Sequence, residues 1–159
     1  MIQAYVGLGA NLGNARESLQ QAAAELAATA GVHKLRLSRL YRSSPVDAGG
    51  PDYVNAVAAI TTSLNAHALL RMLQGIEDRH GRLRPYRHAP RTLDLDLLLF
   101  GEQAIDDSEL TVPHPRMHLR AFVLRPLADL APDLRLAQGE LSVLLSACQD
   151  QQVSPLDDY

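Results

Sequence analysis

Residues 93–100 read Leu93-Asp94-Leu95-Asp96-Leu97-Leu98-Leu99-Phe100, and most of what the chain says about its architecture can be worked out from here. The stretch has the length and composition of a β-strand, and Gly101 turns the chain after it. Side chains alternate along a strand, so Asp94 and Asp96 share one face while Leu93, Leu95 and Leu97 point to the other. Beyond Asp96 both faces are apolar. The strand therefore runs into the core with the acidic pair at its mouth, the two residues about 6 to 7 Å apart at the backbone. Like charges at that spacing repel, and a hard divalent cation removes the repulsion, because carboxylate oxygens suit Mg²⁺ and two such ions can clamp a phosphoryl group. Taken alone, the pair also fits a strand that merely solvates its acidic face.

Just upstream the chain is densely basic. Only Lys34 among the 15 Lys and Arg residues is a lysine, and Arg79, Arg82, Arg84, Arg87 and Arg91 fall in one short stretch with His80 and His88. Guanidinium groups fork onto phosphate oxygens, and polyphosphate needs both divalent metal and fixed positive charge. Acids beside arginines therefore point to a nucleotide site. The chain lacks the Gly-Lys-Ser/Thr of a Walker loop, since Lys34 lies between His33 and Leu35. Gly7, Gly9 and Gly13 are one residue too widely spaced for a dinucleotide fingerprint and read mainly as turn glycines.

Further outward, Ile2 to Leu8 reads as a first strand, with Gly9, Asn11, Gly13 and Asn14 as a turn. Ala15 to Ala30 is a helix with Leu19, Ala22, Ala23 and Leu26 on one face and Gly31 placed to end it. Leu35, Leu37 and Tyr41 mark a second strand, Ser43 to Pro51 a loop, and Tyr53 to Ser63 a third strand. Asn65 caps a second helix carrying Leu69, Leu73 and Ile76 and stopped by Gly81. With the strand at 93–100 the order is β-α-β-β-α-β, the split unit of a ferredoxin-like α+β sandwich, whose helices cover one face of an antiparallel sheet. A C-terminal extension follows: a proline-rich loop from Thr111 to Met117, a helix around Leu119 to Leu130 restarting near Pro126, a last helix near Leu141 to Cys148, and a polar tail from Gln149 to Tyr159 that reads as disordered.

Composition sets bounds. At 159 residues and 47% apolar content the chain suffices for one compact domain, taken here as 1–159. Met1-Ile2-Gln3 opens no signal peptide and no run approaches a membrane span, so a cytoplasmic protein without membrane partners is expected. Cys148 is the single cysteine, which excludes an internal disulfide and fits a reducing compartment. A net charge of −3 gives no general attraction for nucleic acid, and an RNA-binding sheet would be basic with exposed aromatics.

The stretch Arg87-His88-Ala89-Pro90-Arg91-Thr92-Leu93-Asp94-Leu95-Asp96-Leu97-Leu98 resembles the signature of 6-hydroxymethyl-7,8-dihydropterin pyrophosphokinases of folate synthesis. Gly9-Ala10-Asn11-Leu12-Gly13, Pro51-Asp52-Tyr53-Val54-Asn55-Ala56, Glu77-Asp78-Arg79-His80-Gly81-Arg82, Thr111-Val112-Pro113-His114 and Arg120-Ala121-Phe122-Val123-Leu124 extend the similarity from Ile2 to about Pro132. The family's ferredoxin-like fold agrees with the element order. The resemblance implies transfer of pyrophosphate from ATP to the pterin hydroxymethyl group, giving AMP and the pterin diphosphate, by a monomer.

Residue by residue, the resemblance makes Asp94 and Asp96 ligands of two Mg²⁺ ions, and Arg82 and Arg91 catalytic partners on the phosphates. Arg84 and Arg120 join Arg82 and Arg91 at phosphate positions, and Gln74, Leu97, Thr111 and His114 match the part of the site that holds adenosine. Tyr53 and Phe122 match the two rings that sandwich the pterin. Asn55 matches a residue bonding the pterin edge, with backbone contacts from Ser43, Ser44 and Val46 and with Asp94 also facing the pterin. The loops at Gly9 to Asn14, Ser43 to Pro51 and Arg82 to Thr92 are expected lids. Asp94 and an oxygen held by the metal are both candidates to take the alcohol proton.

The chain departs from the family in places: the Arg84 to Arg91 segment is one residue shorter than in several relatives, Pro85 and His88 stand where a lysine and a tryptophan occur, Pro115 where a tyrosine occurs, and Glu109 where a basic residue occurs. Glu77 and Arg84 also fit a plain structural ion pair. A ferredoxin-like binding module would explain the fold without Asp94 and Asp96, and another metal-dependent nucleotidyl transferase or nuclease would explain the acids without Tyr53, Asn55 and Phe122.

Overall fold

In a computed structural model, described for residues 1–11, 14–44, 52–81 and 93–156, the chain runs β1 (Ile2–Ala10), α1 (Ala15–Ala28), β2 (Val32–Leu37), β3 (Tyr41–Ser43), β4 (Tyr53–Thr62), α2 (Ala66–Gly81), β5 (Asp94–Phe100), β6 (Ile105–Asp106) and β7 (Thr111–Val112). After a 3-10 turn at Met117–Leu119 come α3 (Ala121–Leu130), β8 (Arg135–Leu136), β9 (Gly139–Glu140), α4 (Leu141–Ser146) and β10 (Val153–Pro155). β1 and β4 form the centre of an antiparallel sheet ordered β10-β3-β4-β1-β5, with β5 at one edge and β2 also paired to β4. This is the expected α+β sandwich.

Alternation sorts the sheet into two faces. Ala4, Val6, Leu8, Ala56, Ala58, Ile60, Leu95 and Leu97 pack against Leu19, Ala22 and Leu26 of α1 and Leu69, Leu73 and Ile76 of α2. On the other face Tyr5, Val57, Ala59 and Leu98 pack against Val123, Leu124 and Leu127 of α3. Two helices therefore cover one face, and the C-terminal extension covers half of the other.

Local chemistry explains the elements. Asn14 caps α1: its side chain accepts the Glu17 N–H at 3.1 Å while its amide donates back to the Glu17 carboxylate. Asn65 takes the Ala68 N–H at 2.8 Å at the start of α2. After α1, Gly31 turns the chain at φ +93, where a Cβ would stand 2.7 Å from Leu64.

The structure corrects several expectations. The first strand continues through Gly9 to Ala10, so Gly7 and Gly9 are strand residues and not turn residues. The expected second strand is two, because Ser38 interrupts it: its N–H donates to the Val57 carbonyl and its hydroxyl accepts the Val57 N–H, both at 2.9 Å. Leu37 faces Ala58 and Tyr41 faces Asn55, so residues 38–40 oppose only 56–57 and form a bulge. The bulge reverses the alternation that Leu37 sets and so leaves Tyr41 and Ser43 on the α3 face. Pro126 lies inside a continuous α3 and restarts nothing, although it has no N–H to donate to the Phe122 carbonyl one turn back. The 111–117 loop contains β7 paired to β6 and the start of the 3-10 turn. The described part of the tail is built into the fold: β10 pairs with β3, and the Leu156 N–H bonds the Leu40 carbonyl at 3.0 Å.

Candidate active site

Cross-strand register assembles the site on the face that α3 only half covers. In one row across the sheet Tyr41, Asn55, Gly9 and Asp94 are neighbours, and in a parallel row Val57, Gly7 and Asp96. Residues directly opposite one another in an antiparallel pair point the same way. β4 and β5 thus raise side chains on either side of β1, whose residues at these rows are glycines. With strands about 4.8 Å apart, Asn55 and Asp94 stand about 10 Å apart across a bare backbone floor. The floor is tailored to this, since a Cβ on Gly9 would lie 3.1 Å from the Asn55 amide nitrogen.

Asn55 is oriented from below. The Ser43 hydroxyl donates to its Oδ1 at 2.6 Å, and both side chains are buried. Its Nδ2 is thereby turned toward the floor beside Gly9. Tyr41 braces the same row: its hydroxyl donates to Asp129 of α3 at 2.6 Å, and the Arg125 guanidinium lies 5.7 Å above its ring. Burial, aided by that bond, pushes the Tyr41 phenol up to about 12. Tyr53 sits two residues before Asn55 on β4 and shares its face. Phe122, in the first turn of α3, is half-buried on the same side, and the Arg120 guanidinium lies 5.5 Å above its ring.

Asp94 is half-buried at the first position of β5, and Asp96 is exposed. The stretch between them is pinned from the sheet edge: the Glu77 carboxylate on α2 accepts the Leu95 N–H at 2.8 Å. Glu77, read from sequence beside Arg84, thus serves the strand of the acidic pair. Among the described residues no cluster of three or more His, Cys, Asp or Glu side chains gathers. Two adjacent carboxylates with nothing further suit Mg²⁺, which keeps several waters and completes its shell with phosphate oxygens.

A second group lines the outer edge of β5. Leu97 buries its side chain against the α1/α2 layer, so only its backbone is available; it lies two residues beyond Leu95, and its N–H likewise faces the open edge. The His114 N–H bonds the Leu98 carbonyl at 2.9 Å, which lays the 111–114 segment, with exposed Thr111, along this edge. Gln74 is exposed one helical turn before Glu77, on the same side of α2. The His114 ring accepts the Arg116 N–H at Nδ1. Burial pushes the His114 imidazole below its ordinary 6.5; the Asp96 charge opposes this, and Arg120 and Arg116 reinforce it. His114, Asp96 and Arg120 are therefore within electrostatic reach of one another, joining the edge group to the floor.

Ser44 is exposed next to Ser43. Arg82, Arg84, Arg91 and Val46 lie outside the described residues, as do Arg87, His88 and most of the expected lid segments. Sequence reasoning missed Gly7 and Gly9 as a floor, although Tyr5-Val6-Gly7-Leu8-Gly9 places both on one strand face. It also missed Tyr41, and it read Ser43 only for its backbone and not for the hydroxyl that braces Asn55.

Comparison with known proteins places the chain. The family model described as 7,8-dihydro-6-hydroxymethylpterin-pyrophosphokinase (HPPK) matches residues 5–132. The chain is 50% identical over 159 residues to the 2-amino-4-hydroxy-6-hydroxymethyldihydropteridine pyrophosphokinase of Pseudomonas aeruginosa, covering 98% of both chains. It is 44% identical over 142 residues to the protein of that name from Haemophilus influenzae, covering 89% of both. Among solved structures, it superposes on Plasmodium falciparum HPPK-DHPS A437G with a TM-score of 0.73 at 15% identity, covering 92% of this chain and 45% of that one.

Proposed function

This chain belongs to the 7,8-dihydro-6-hydroxymethylpterin-pyrophosphokinase family, and from that premise we propose how its residues share the reaction. As an ATP-dependent diphosphokinase of folate biosynthesis, it transfers pyrophosphate from ATP to hydroxymethyldihydropterin. The bond formed joins the hydroxymethyl oxygen to the β-phosphorus, and the bond broken releases AMP. The proposal concerns which groups bind, orient and neutralise charge.

The pterin stands edge-on to the Gly7/Gly9 floor, where the lack of side chains lets the rim of a bicyclic ring approach the backbone. Asn55, its Oδ1 occupied by Ser43, offers Nδ2 to the ring edge, with backbone contacts from Ser43, Ser44 and Val46. Tyr53 and Phe122 stack on the two ring faces, because π-faces at offset-stacking distance each add specificity to area burial. Asp94 closes the far side of the floor and faces the pterin.

Asp96 and Asp94 form the metal pair. Two Mg²⁺ ions held there would neutralise the triphosphate and draw its β-phosphorus toward the hydroxymethyl oxygen. Arg82, Arg84, Arg91 and Arg120 fork onto the phosphates, with Arg82 and Arg91 steadying the charge that develops in transfer. Adenosine lies along the open edge of β5 against the Leu97 backbone, Gln74, Thr111 and His114. A neutral His114, favoured by its depressed pKa, offers a hydrogen bond and adds no positive charge to compete with the metal for Asp96.

The observation that carries this reading is the alignment of Asn55 and Asp94 on either side of Gly9. The enzyme acts as a cytoplasmic monomer on small molecules, without nucleic acid. Incubating it with Mg²⁺, ATP and 6-hydroxymethyl-7,8-dihydropterin tests the division of labour. AMP and the pterin diphosphate should form, and Asp94→Ala and Asp96→Ala should each lower kcat by about 10³-fold or more. Full turnover by either variant, or by chelator-stripped enzyme, would overturn it.

A further inference from the structure

The geometry points to Gln151 as a positioning residue for this reaction, acting through Arg120 and Phe122 from outside the segment that the family model matches. The inference rests on the reading of those two residues given above.

α3 begins at Ala121, and its N-cap is Arg120, whose side chain makes no capping hydrogen bond. The first N–H groups of a helix have no partner within it, and an arginine has no acceptor to offer them. Gln151 supplies the missing acceptor from 30 residues away. Its Oε1 takes the Ala121 N–H at 2.9 Å, and its Nε2 donates to the Leu119 carbonyl at 2.8 Å. One amide thus bonds the residues immediately before and after Arg120. It fixes the backbone there at φ −120, ψ 111. That conformation directs Arg120 to where its guanidinium covers Phe122 and its charge reaches His114.

The clamp is itself held on both sides. The Gln151 N–H bonds the Cys148 carbonyl at 3.0 Å, and two residues later β10 begins, with Val153 opposite Ser43 and Pro155 opposite Tyr41. β3 in turn pairs with β4 at Tyr53 and Asn55. The tail is therefore laced to the strand that orients Asn55, and Gln151 carries that reference to the opposite wall of the site. The family model ends at residue 132, so the wall bearing Arg120 and Phe122 is set by a residue beyond it. An amide reaching two backbone groups at once is a demanding fit: Met can fill the same space with neither bond, and Glu can keep only the acceptor.

The test compares Gln151→Met, Gln151→Glu and Gln152→Ala, the last an exposed neighbour serving as control. Each is assayed well below its Tm for KM, kcat and half-saturating Mg²⁺. Pterin binding in the presence of an unreactive ATP analogue is measured by fluorescence. Misplacing positioning groups by a fraction of an ångström predicts that Gln151→Met raises KM for the pterin and weakens its binding by about tenfold, with a rise in KM for ATP. Gln151→Glu, which retains the cap on Ala121 next to Phe122, recovers most of the pterin affinity. Gln152→Ala and the half-saturating Mg²⁺ stay within about twofold of wild type. If Gln151→Met folds and shows wild-type KM values and pterin binding, the inference is wrong. A lowered Tm with unchanged KM values, or a uniformly reduced active fraction, likewise overturns it by reducing Gln151 to a structural role. Either result, with the wild type still producing AMP, leaves the proposed function standing.

Discussion

The Glu77 carboxylate accepts the backbone N–H of Leu95 at 2.8 Å, so a side chain of α2 grips the edge strand between the two aspartates. An edge strand lacks a neighbour on one side, and its free N–H groups leave it able to shift. Here the helix takes the place of that neighbour. Glu77→Ala should lower kcat/KM by about 10- to 100-fold and raise the Mg²⁺ concentration needed for half-maximal rate, because the acidic pair loses its fixed spacing. Glu77→Gln keeps an acceptor and should fall within about fivefold of wild type. Mg²⁺ titrations of the rate for both variants check this.

The two floor glycines should respond differently to a methyl group. At Gly9 a Cβ lies 3.1 Å from the Asn55 Nδ2, so Gly9→Ala must displace that amide; at Gly7 the nearest atoms, in Leu98, are 3.5 Å away, an ordinary contact. Gly7→Ala should therefore keep its stability within about 1 kcal/mol of wild type. Both variants should raise KM for the pterin, Gly9→Ala the more, while KM for ATP moves little. Steady-state kinetics with each substrate varied, alongside denaturant melts, separates the two effects.

Alkaline stability should depend on Tyr41. Its phenol is raised to about 12 from an ordinary 10.0, chiefly by burial and then by the Asp129 bond. A raised acid pKa means the unfolded chain releases its proton first as pH climbs. The contribution is complete below pH 10 and is lost between 10 and 12. Tyr41→Phe should cost about 1 kcal/mol at neutral pH and flatten that alkaline decline. Urea melts from pH 7 to 11 would show the two curves converging.

On the acid side the corresponding group is Glu25. Burial alone would raise its carboxyl, but hydrogen bonds from His80 and Arg79 of α2 outweigh this and hold it below its ordinary 4.5. A depressed carboxylate contributes stability that is present above pH 4.5 and lost as pH falls through the folded value. Glu25→Gln should cost at most about 1 kcal/mol at pH 7 after solvent screening, and the difference from wild type should shrink below pH 4.5. A gap that stays constant to pH 3 would contradict it.

The parts of the fold legible in the sequence were those with strong local signals. Asn65 marks a helix start by its cap, and Leu69, Leu73 and Ile76 mark a buried helix face by their spacing. The alternation of Asp94 and Asp96 with Leu95 and Leu97 marks the strand and its two faces. What sequence reading missed depends on tertiary pairing. Ser38 breaks a strand because its hydroxyl finds Val57 across the sheet, and nothing nearby in the chain announces that partner. Val153–Pro155 is short and polar at Ser154, and it becomes a strand only because β3 offers an open edge. Gly9 reads as a turn because glycine is common in turns; its use in a strand shows only when Asn55 is placed opposite it.

The bulge at residues 38–40 makes the binding surface hostage to strand register as much as to residue identity. Were the bulge drawn out straight with no residue removed, pairing would run on from Leu37 and Ala58 to set Tyr41 opposite Val54, and by parity alone would swing the Ser43 hydroxyl and the Tyr41 ring through the sheet to the α1/α2 side. Asn55 would keep its place and lose its brace, in a protein whose every catalytic residue was still present. Relatives compared only by which residues they share at the site would miss such a change; the hold of Ser38 on Val57 is a specificity determinant written in register.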